Sequence, residues 1–288
     1  MKQFLLFLLT IILTTSLFAQ EADTTKAKAD SVVSPWTPSI IAGLNVSQIA
    51  FNNWAKGGEN SLTWTVTGDV GLNYKKGSWE LKNTLQLRYG RTKIEDEQER
   101  VNDNEIFFEN VLVYHNDWVV NPFASNALRT QITTGYEYTD DDRIPVSDFF
   151  DPAYITQSVG FTYEKLETIQ TRLGLAFQEV ITSEYRSYSD DPETLDEIES
   201  FDFDTGIESV TDAKYTLAEN LLYKSKLRLF SRFDSMDVWD VRWDNTITAK
   251  VNSWLNVNFE FLLIHQIDQT LKTQTKQALQ VGLVYTIL

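Results

Sequence analysis

Between Lys224 and Asp244 the chain reads KSKLRLFSRFDSMDVWDVRWD, and its charges fall on alternate positions. Lys224, Lys226, Arg228 and Arg232 share one parity, and Asp240, Arg242 and Asp244 share it on the far side of DSMD. In a β-strand, a period of two puts all of them on one face. If two antiparallel strands meet at DSMD, Arg232 faces Asp240 and Arg228 faces Asp244, giving two complementary cross-strand ion pairs. That register leaves Lys224, Lys226 and Arg242 as the least satisfied cations. Asp69, Glu80, Lys82, Arg88, Arg172, Glu208, Asp212, Lys214 and Glu260 take the same inward parity in their own segments. Charges that satisfy one another would plug an interior. Unpaired cations would line a narrow pore that attracts small anions.

Other chemistry is thinly supplied. With no cysteine, the chain has no disulfide scaffold, thiolate metal site or cysteine nucleophile. Of the two histidines, His115 falls at a tight turn and reads as a surface residue. His265 has outward parity, where a Ser partner would suit lipid hydrolysis. Its expected neighbours are instead Val241 and Gln277, so no nucleophile and base come together and no enzyme is expected. DDDRIPVSD and FDFDTG cluster carboxylates without the full calcium-loop pattern and its final bidentate Glu, so neither a metal nor a cofactor is expected. The formal charge of -16 argues against nucleic acid, because phosphate contact needs clustered Lys and Arg. The acid is concentrated: segments 93–105, 140–151 and 184–204 carry 20 acidic and 4 basic residues. Such loops suit a solvated surface, lipopolysaccharide bridged by cations, or a docked protein. Tyr185, Tyr188, Phe201 and Phe203 in the longest segment would add aromatic contacts.

These residues need strands to position them. In SLTWTVTGDVGLNY the apolar side chains Leu62, Trp64, Val66, Val70, Leu72 and Tyr74 alternate with polar ones, and after KKGS the pattern resumes through Leu81, Leu85, Leu87 and Tyr89. Twelve such strands can be placed, at roughly 38–50, 61–74, 79–91, 105–114, 118–138, 153–164, 168–181, 206–217, 221–233, 238–251, 254–266 and 276–288. Pro122 predicts an edge kink or bulge in the fifth. Every second connection is a short turn, so the tight turns gather at one end and the longer loops at the other. Trp64 and Tyr74, Trp79 and Tyr89, and Tyr223 and Phe233 lie ten residues apart on outward faces. Ten tilted residues rise about 25 Å, the height of a lipid-facing band between aromatic girdles. The predicted fold is all-β: a transmembrane, antiparallel, up-and-down β-barrel of about twelve strands.

The chain opens MKQFLLFLLTIILTTSLFAQ, a basic residue and an apolar run closing on a small residue. This predicts a signal peptide over 1–19, a flexible periplasmic leader over 20–35 and the barrel over 36–288, placed in the outer membrane of a Gram-negative cell. In the last strand, Leu279, Val281, Leu283, Tyr285 and Ile287 point outward and Gly282 inward. This resembles the terminal strand recognised by barrel-assembly machinery, with Leu288 in place of the usual Phe.

NVSQIAFNNWAKGGENSLTW supplies Asn45, Gln48, Phe51, Asn53, Trp54, Gly57, Gly58, Asn60 and Ser61. It resembles the opening signature of a family of uncharacterised outer-membrane β-barrels of Bacteroidota, and Gly206 to Phe233 has the same look. The resemblance implies location and fold but no activity. Gly57 and Gly58 would allow positive φ in the first loop, Asn53 and Asn60 would cap its backbone, and Trp54 would fold over the barrel mouth. The functional expectation is a porin-like narrow pore for small solutes. Its alternative is a non-conducting scaffold that docks a partner through the acidic loops, and membrane lipid, lipopolysaccharide and the assembly machinery are the expected partners.

Overall fold

The structure, a computed structural model, describes residues 34–52, 58–139, 142–191, 194, 198–267 and 269–288. The expected signal peptide and nearly all of the leader lie outside the described residues. In chain order the strands are β1 (Trp36–Ile49), β2 (Ser61–Lys76), β3 (Trp79–Ile94), β4 (Arg100–Tyr114), β5 (Asn121–Thr130), β6 (Gly135–Tyr138) and β7 (Arg143–Ser147). They continue with β8 (Ala153–Tyr163), β9 (Ile169–Ile181), β10 (Phe201–Ala218), β11 (Leu221–Arg232), β12 (Asp240–Lys250), β13 (Leu255–His265) and β14 (Gln274–Thr286). Twelve of them form a closed antiparallel barrel in which β5 passes directly to β8 and β14 closes on β1; β6 and β7 make a separate two-stranded hairpin. Closure leaves no sheet edge, which a bilayer requires because lipid cannot satisfy free backbone groups.

The barrel is inside out relative to a soluble protein. Val66, Val159, Phe161, Leu173, Leu175, Leu279 and Val281 are exposed on its outer wall, while Thr65, Ser158, Thr162, Arg172, Gln178, Glu208 and Asn258 are buried. The apolar parity seen in the sequence therefore meets lipid. Aromatic pairs across neighbouring strands frame this band. At the short-turn end Trp36 packs on Tyr74 at 4.7 Å, Trp79 on Tyr114 at 4.8 Å and Tyr215 on Tyr223 at 6.5 Å. At the long-loop end Trp64 meets Tyr89 at 6.0 Å and Phe177 meets Phe203 at 6.3 Å. Phe201 and Phe203 lie on β10 and face outward, so they belong to the wall and not to an aromatic loop as expected.

Three further expectations are corrected. The fifth strand ends at Thr130, and the residues after it turn out of the wall into the β6–β7 hairpin, so one long segment is really two elements. Pro122 sits at the start of β5 in regular pairing with Phe161, without a bulge, at a position where pairing with β4 has not yet begun. Irregularities lie elsewhere in the wall, between Gly90 and Arg91 of β3 and between Thr216 and Ala218 of β10, and β4 starts earlier than expected, at Arg100.

Candidate functional site: the charged lumen

Inward parity on β3, β4, β5 and β9 to β13 brings most of the predicted cations into the lumen, each against a carboxylate. Arg88 Nη1 lies 3.0 Å from Glu260 on β13. Arg172, buried to 4% exposure, donates to Glu109 at 2.6 Å, and Lys226 reaches the other oxygen of the same carboxylate at 2.8 Å. Lys226 also lies 3.6 Å from Asp212. Arg228 donates to Glu208 at 2.7 Å and to Gln178 Oε1 at 2.9 Å, and Arg232 lies 3.6 Å from Asp204. Arg242 grips Asp244 through two nitrogens, at 2.9 and 3.1 Å, and also donates to Glu105 at 2.9 Å. Arg129 completes that group at 2.6 Å from Glu105. Asp240 is buried at the start of β12.

The register predicted for β11 and β12 is wrong by two residues. Asp240 pairs with Phe230, Arg242 with Arg228 and Asp244 with Lys226. The connection after Arg232 is wider than a tight DSMD turn, with Val238 N–H bonding back to the Ser235 carbonyl at 2.9 Å. The like charges this register sets side by side are reconciled through partners on other strands. Lys226 and Arg242, expected to be unsatisfied, are therefore paired. Lys224 makes no ion pair among the described residues.

The Arg242–Glu105 contact spans the lumen. Five strands separate β12 from β4 whichever way the wall is followed, so the two residues stand on opposite sides and still touch. Beside Glu105 on β4, Phe107 has the Arg129 guanidinium 4.4 Å and the Lys226 ammonium 5.3 Å from its ring centre, both within cation–π range. This belt crosses the interior. A cavity of about 970 Å³ extends from Leu166 and Thr168 at the short-turn end to Glu109 and Arg242 and, along β4, past Glu105 to Asp103. On the long-loop side a pocket of about 100 Å³ lies beneath Tyr154, His265 and Gln269. Glu105, Glu109 and Arg129 went unremarked in the sequence, although Asp103, Glu105, Phe107 and Glu109 carry the same period-two signal. Arg129 was hidden inside the overlong fifth strand.

The loops have their own anchors. The Asp151 carboxylate accepts the backbone N–H groups of Ser183 at 3.0 Å and Glu184 at 2.7 Å, tying the β9–β10 connection to the foot of β8. In that connection the Thr194 hydroxyl, followed by the Asp191 N–H, holds the Glu199 carboxyl below the usual carboxylate range. Asn60 Oδ1 accepts the Phe51 N–H at 2.6 Å, and Gly58 has a φ of 148° with the Phe51 ring where a Cβ would sit. Asn53, Trp54 and Gly57 lie outside the described residues. His265 meets Val241 on one side but Thr273, not Gln277, on the other, with Nδ1 3.1 Å from the Thr273 hydroxyl. His115 is half-buried against Glu80 at 2.6 Å, where a surface residue was expected. Among the described residues no group of three His, Asp or Glu side chains is placed to hold a metal ion.

Residues 46–136 match the model of a family described only as protein of unknown function (DUF3078). The matched stretch runs from the end of β1 into β6. No curated protein matches the chain. Solved structures that resemble it are outer-membrane barrels. An outer membrane channel from Pseudomonas putida F1 is 11% identical, with 92% of this chain and 99% of that one covered, at a TM-score of 0.41. The translocator domain of the autotransporter NalP from Neisseria meningitidis is 9% identical, with 89% and 90% covered, at 0.37. OprB of Pseudomonas putida is 8% identical, with 88% and 94% covered, at 0.32. The resemblance is one of fold.

Proposed function

We propose that this chain is an exported outer-membrane barrel, from a Gram-negative bacterium of the Bacteroidota, that does not conduct at rest and serves as a scaffold whose acidic loops dock a partner. The observation that carries this reading is the diametric Arg242–Glu105 contact at 2.9 Å, flanked by Arg129, Lys226, Glu109 and Arg172. Side chains of opposite walls in direct ionic contact obstruct the bore where they meet, and a largely buried pair of this kind costs up to about 3–5 kcal/mol to break by removing one partner. In the reading, lipopolysaccharide meets the loop end through bridging cations, and insertion relies on barrel-assembly machinery reading the terminal strand. No catalytic role is assigned, because no carboxylate is placed to orient His265 as a base for the Thr273 hydroxyl among the described residues.

A second reading, a narrow pore for small solutes, is favoured by the cavity of about 970 Å³ that already reaches the belt from one end. Planar-bilayer recording of the refolded mature protein separates the two. Silence from protein that shows the heat-dependent gel shift of a folded barrel supports the closed scaffold. Discrete, reproducible steps from the wild type would overturn it in favour of the pore.

A further inference from the structure

Two lumen cations stand apart from the pattern in which inward Lys and Arg meet a carboxylate. Lys214 of β10 and Lys224 of β11 are directly opposed in the register, both line the large cavity, and neither makes an ion pair among the described residues. Their Cβ atoms are therefore about 5 Å apart. Like charges in that arrangement repel, whereas one register step deeper Asp212 faces Lys226 with a carboxylate 3.6 Å from the ammonium. Most carboxylates sharing the cavity are committed elsewhere, and Asp69 accepts a hydrogen bond from Gln86 at 3.2 Å. Glu164 holds Lys82 at 2.8 Å, Glu260 holds Arg88 at 3.0 Å and Asp103 holds Lys276 at 3.0 Å. Glu167, on the nearby turn, pairs with neither lysine among the described residues.

The row continues with a neutral donor. Thr246 of β12 is the register partner of Lys224 and lines the same cavity. Two ammonium groups and a hydroxyl on adjacent strands face one water-accessible space. A tetrahedral dianion matches both their charge and their number of donors.

We infer that Lys214, Lys224 and Thr246 form a binding site for a phosphate-class oxyanion, entered from the short-turn end of the barrel. The lysine repulsion is relieved by the ligand, so the empty site is a local weak point and the filled one is not. The site does not depend on whether the belt above it conducts.

The test is calorimetric titration of the full mature barrel, refolded in uncharged detergent at low salt, with inorganic phosphate and separately with glycerol 3-phosphate. One saturable site is expected, weakened about tenfold or more by Lys214→Ala or Lys224→Ala and lost in the double variant. Lys75→Ala, at the exposed end of β2, leaves it unchanged. Phosphate alone binding assigns the free dianion, and tighter binding of glycerol 3-phosphate assigns a monoester; both support the site. Without ligand, the double variant melts no lower than wild type because it loses a repulsion, and phosphate raises the melting temperature of the wild type only. Absence of saturable binding to the wild type, or binding that persists in the double variant, overturns the inference. A conducting wild type would overturn the closed-lumen reading and leave this result standing.

Discussion

At the scale of single residues, the wall's glycines show how closely the barrel is fitted. Gly282 of β14 was legible in the sequence as an inward position in an outward-apolar strand, but its purpose was not, because that depends on which strand closes the barrel. A Cβ there would lie 2.5 Å from Asn45 Oδ1 and 2.6 Å from Asn258 Nδ2. Those two buried amides bond each other at 3.0 Å across β14, clipping β1 to β13. At Gly160 the obstacle is backbone: the Leu173 carbonyl at 2.1 Å and the Gly174 Cα at 2.5 Å. At Gly68 nothing is nearer than Leu87 Cβ at 3.8 Å. Side-chain tips can move at the cost of a hydrogen bond, whereas a strand's backbone cannot. Gly68→Ala should therefore shift stability by about 0.5 kcal/mol or less, Gly282→Ala should destabilise by about 1–2 kcal/mol and Gly160→Ala by about 3 kcal/mol or more. Denaturant midpoints followed by the heat-shifted gel band would rank them, and equal midpoints would remove the close-approach argument.

At the scale of strands, alternation and turn chemistry made the wall readable almost in full, because lipid on one side and water on the other impose period two on every spanning segment. The pairing of β11 with β12 was not readable. The sequence pattern there is compatible with registers two residues apart, since both keep every charge inward, and only the width of the connecting loop chooses between them. Alternation along the sequence also exposes only partners on adjacent strands. A closed barrel brings distant strands within reach, which is how Lys226 of β11 finds Glu109 of β4 at 2.8 Å, while Arg228 turns to its other neighbour, β10, and finds Glu208 at 2.7 Å. A double-mutant cycle decides the matter. Arg228→Ala and Glu208→Ala should couple by about 1 kcal/mol or more, while Arg228→Ala and Asp244→Ala should add within about 0.5 kcal/mol. Coupling confined to the second pair would restore the register expected from sequence.

At the scale of the whole molecule, acid that looked like loop charge is partly structural. Asp103, Glu105 and Asp204 fall in the segments counted as acidic loops, yet lie on β4 and β10 and face Lys276, Arg242 and Arg232 inside the barrel. The outer field is correspondingly weaker than composition suggests, and one of these carboxylates, Glu105, belongs to the belt across the lumen. The proposed closure at this belt can be tested only by taking away the right partners. Removing Glu105 or Glu109 would strand cations in the belt and confuse opening with collapse. Removing Arg242 and Lys226 avoids this, because Glu105 keeps Arg129 at 2.6 Å and Glu109 keeps Arg172 at 2.6 Å. The double variant Arg242→Ala, Lys226→Ala withdraws both β11–β12 arms from the gap and leaves Asp212 and Asp244 with fewer counter-charges. It should join the large cavity to the long-loop side and give discrete openings in planar bilayers where the wild type gives none. With carboxylates in excess along the opened path, a salt gradient should report cation preference. A folded, inserted double variant that stayed silent would mean the belt is not what closes the barrel. Closure would then have to be sought above it, where Asp151 anchors the β9–β10 connection beside the mouth.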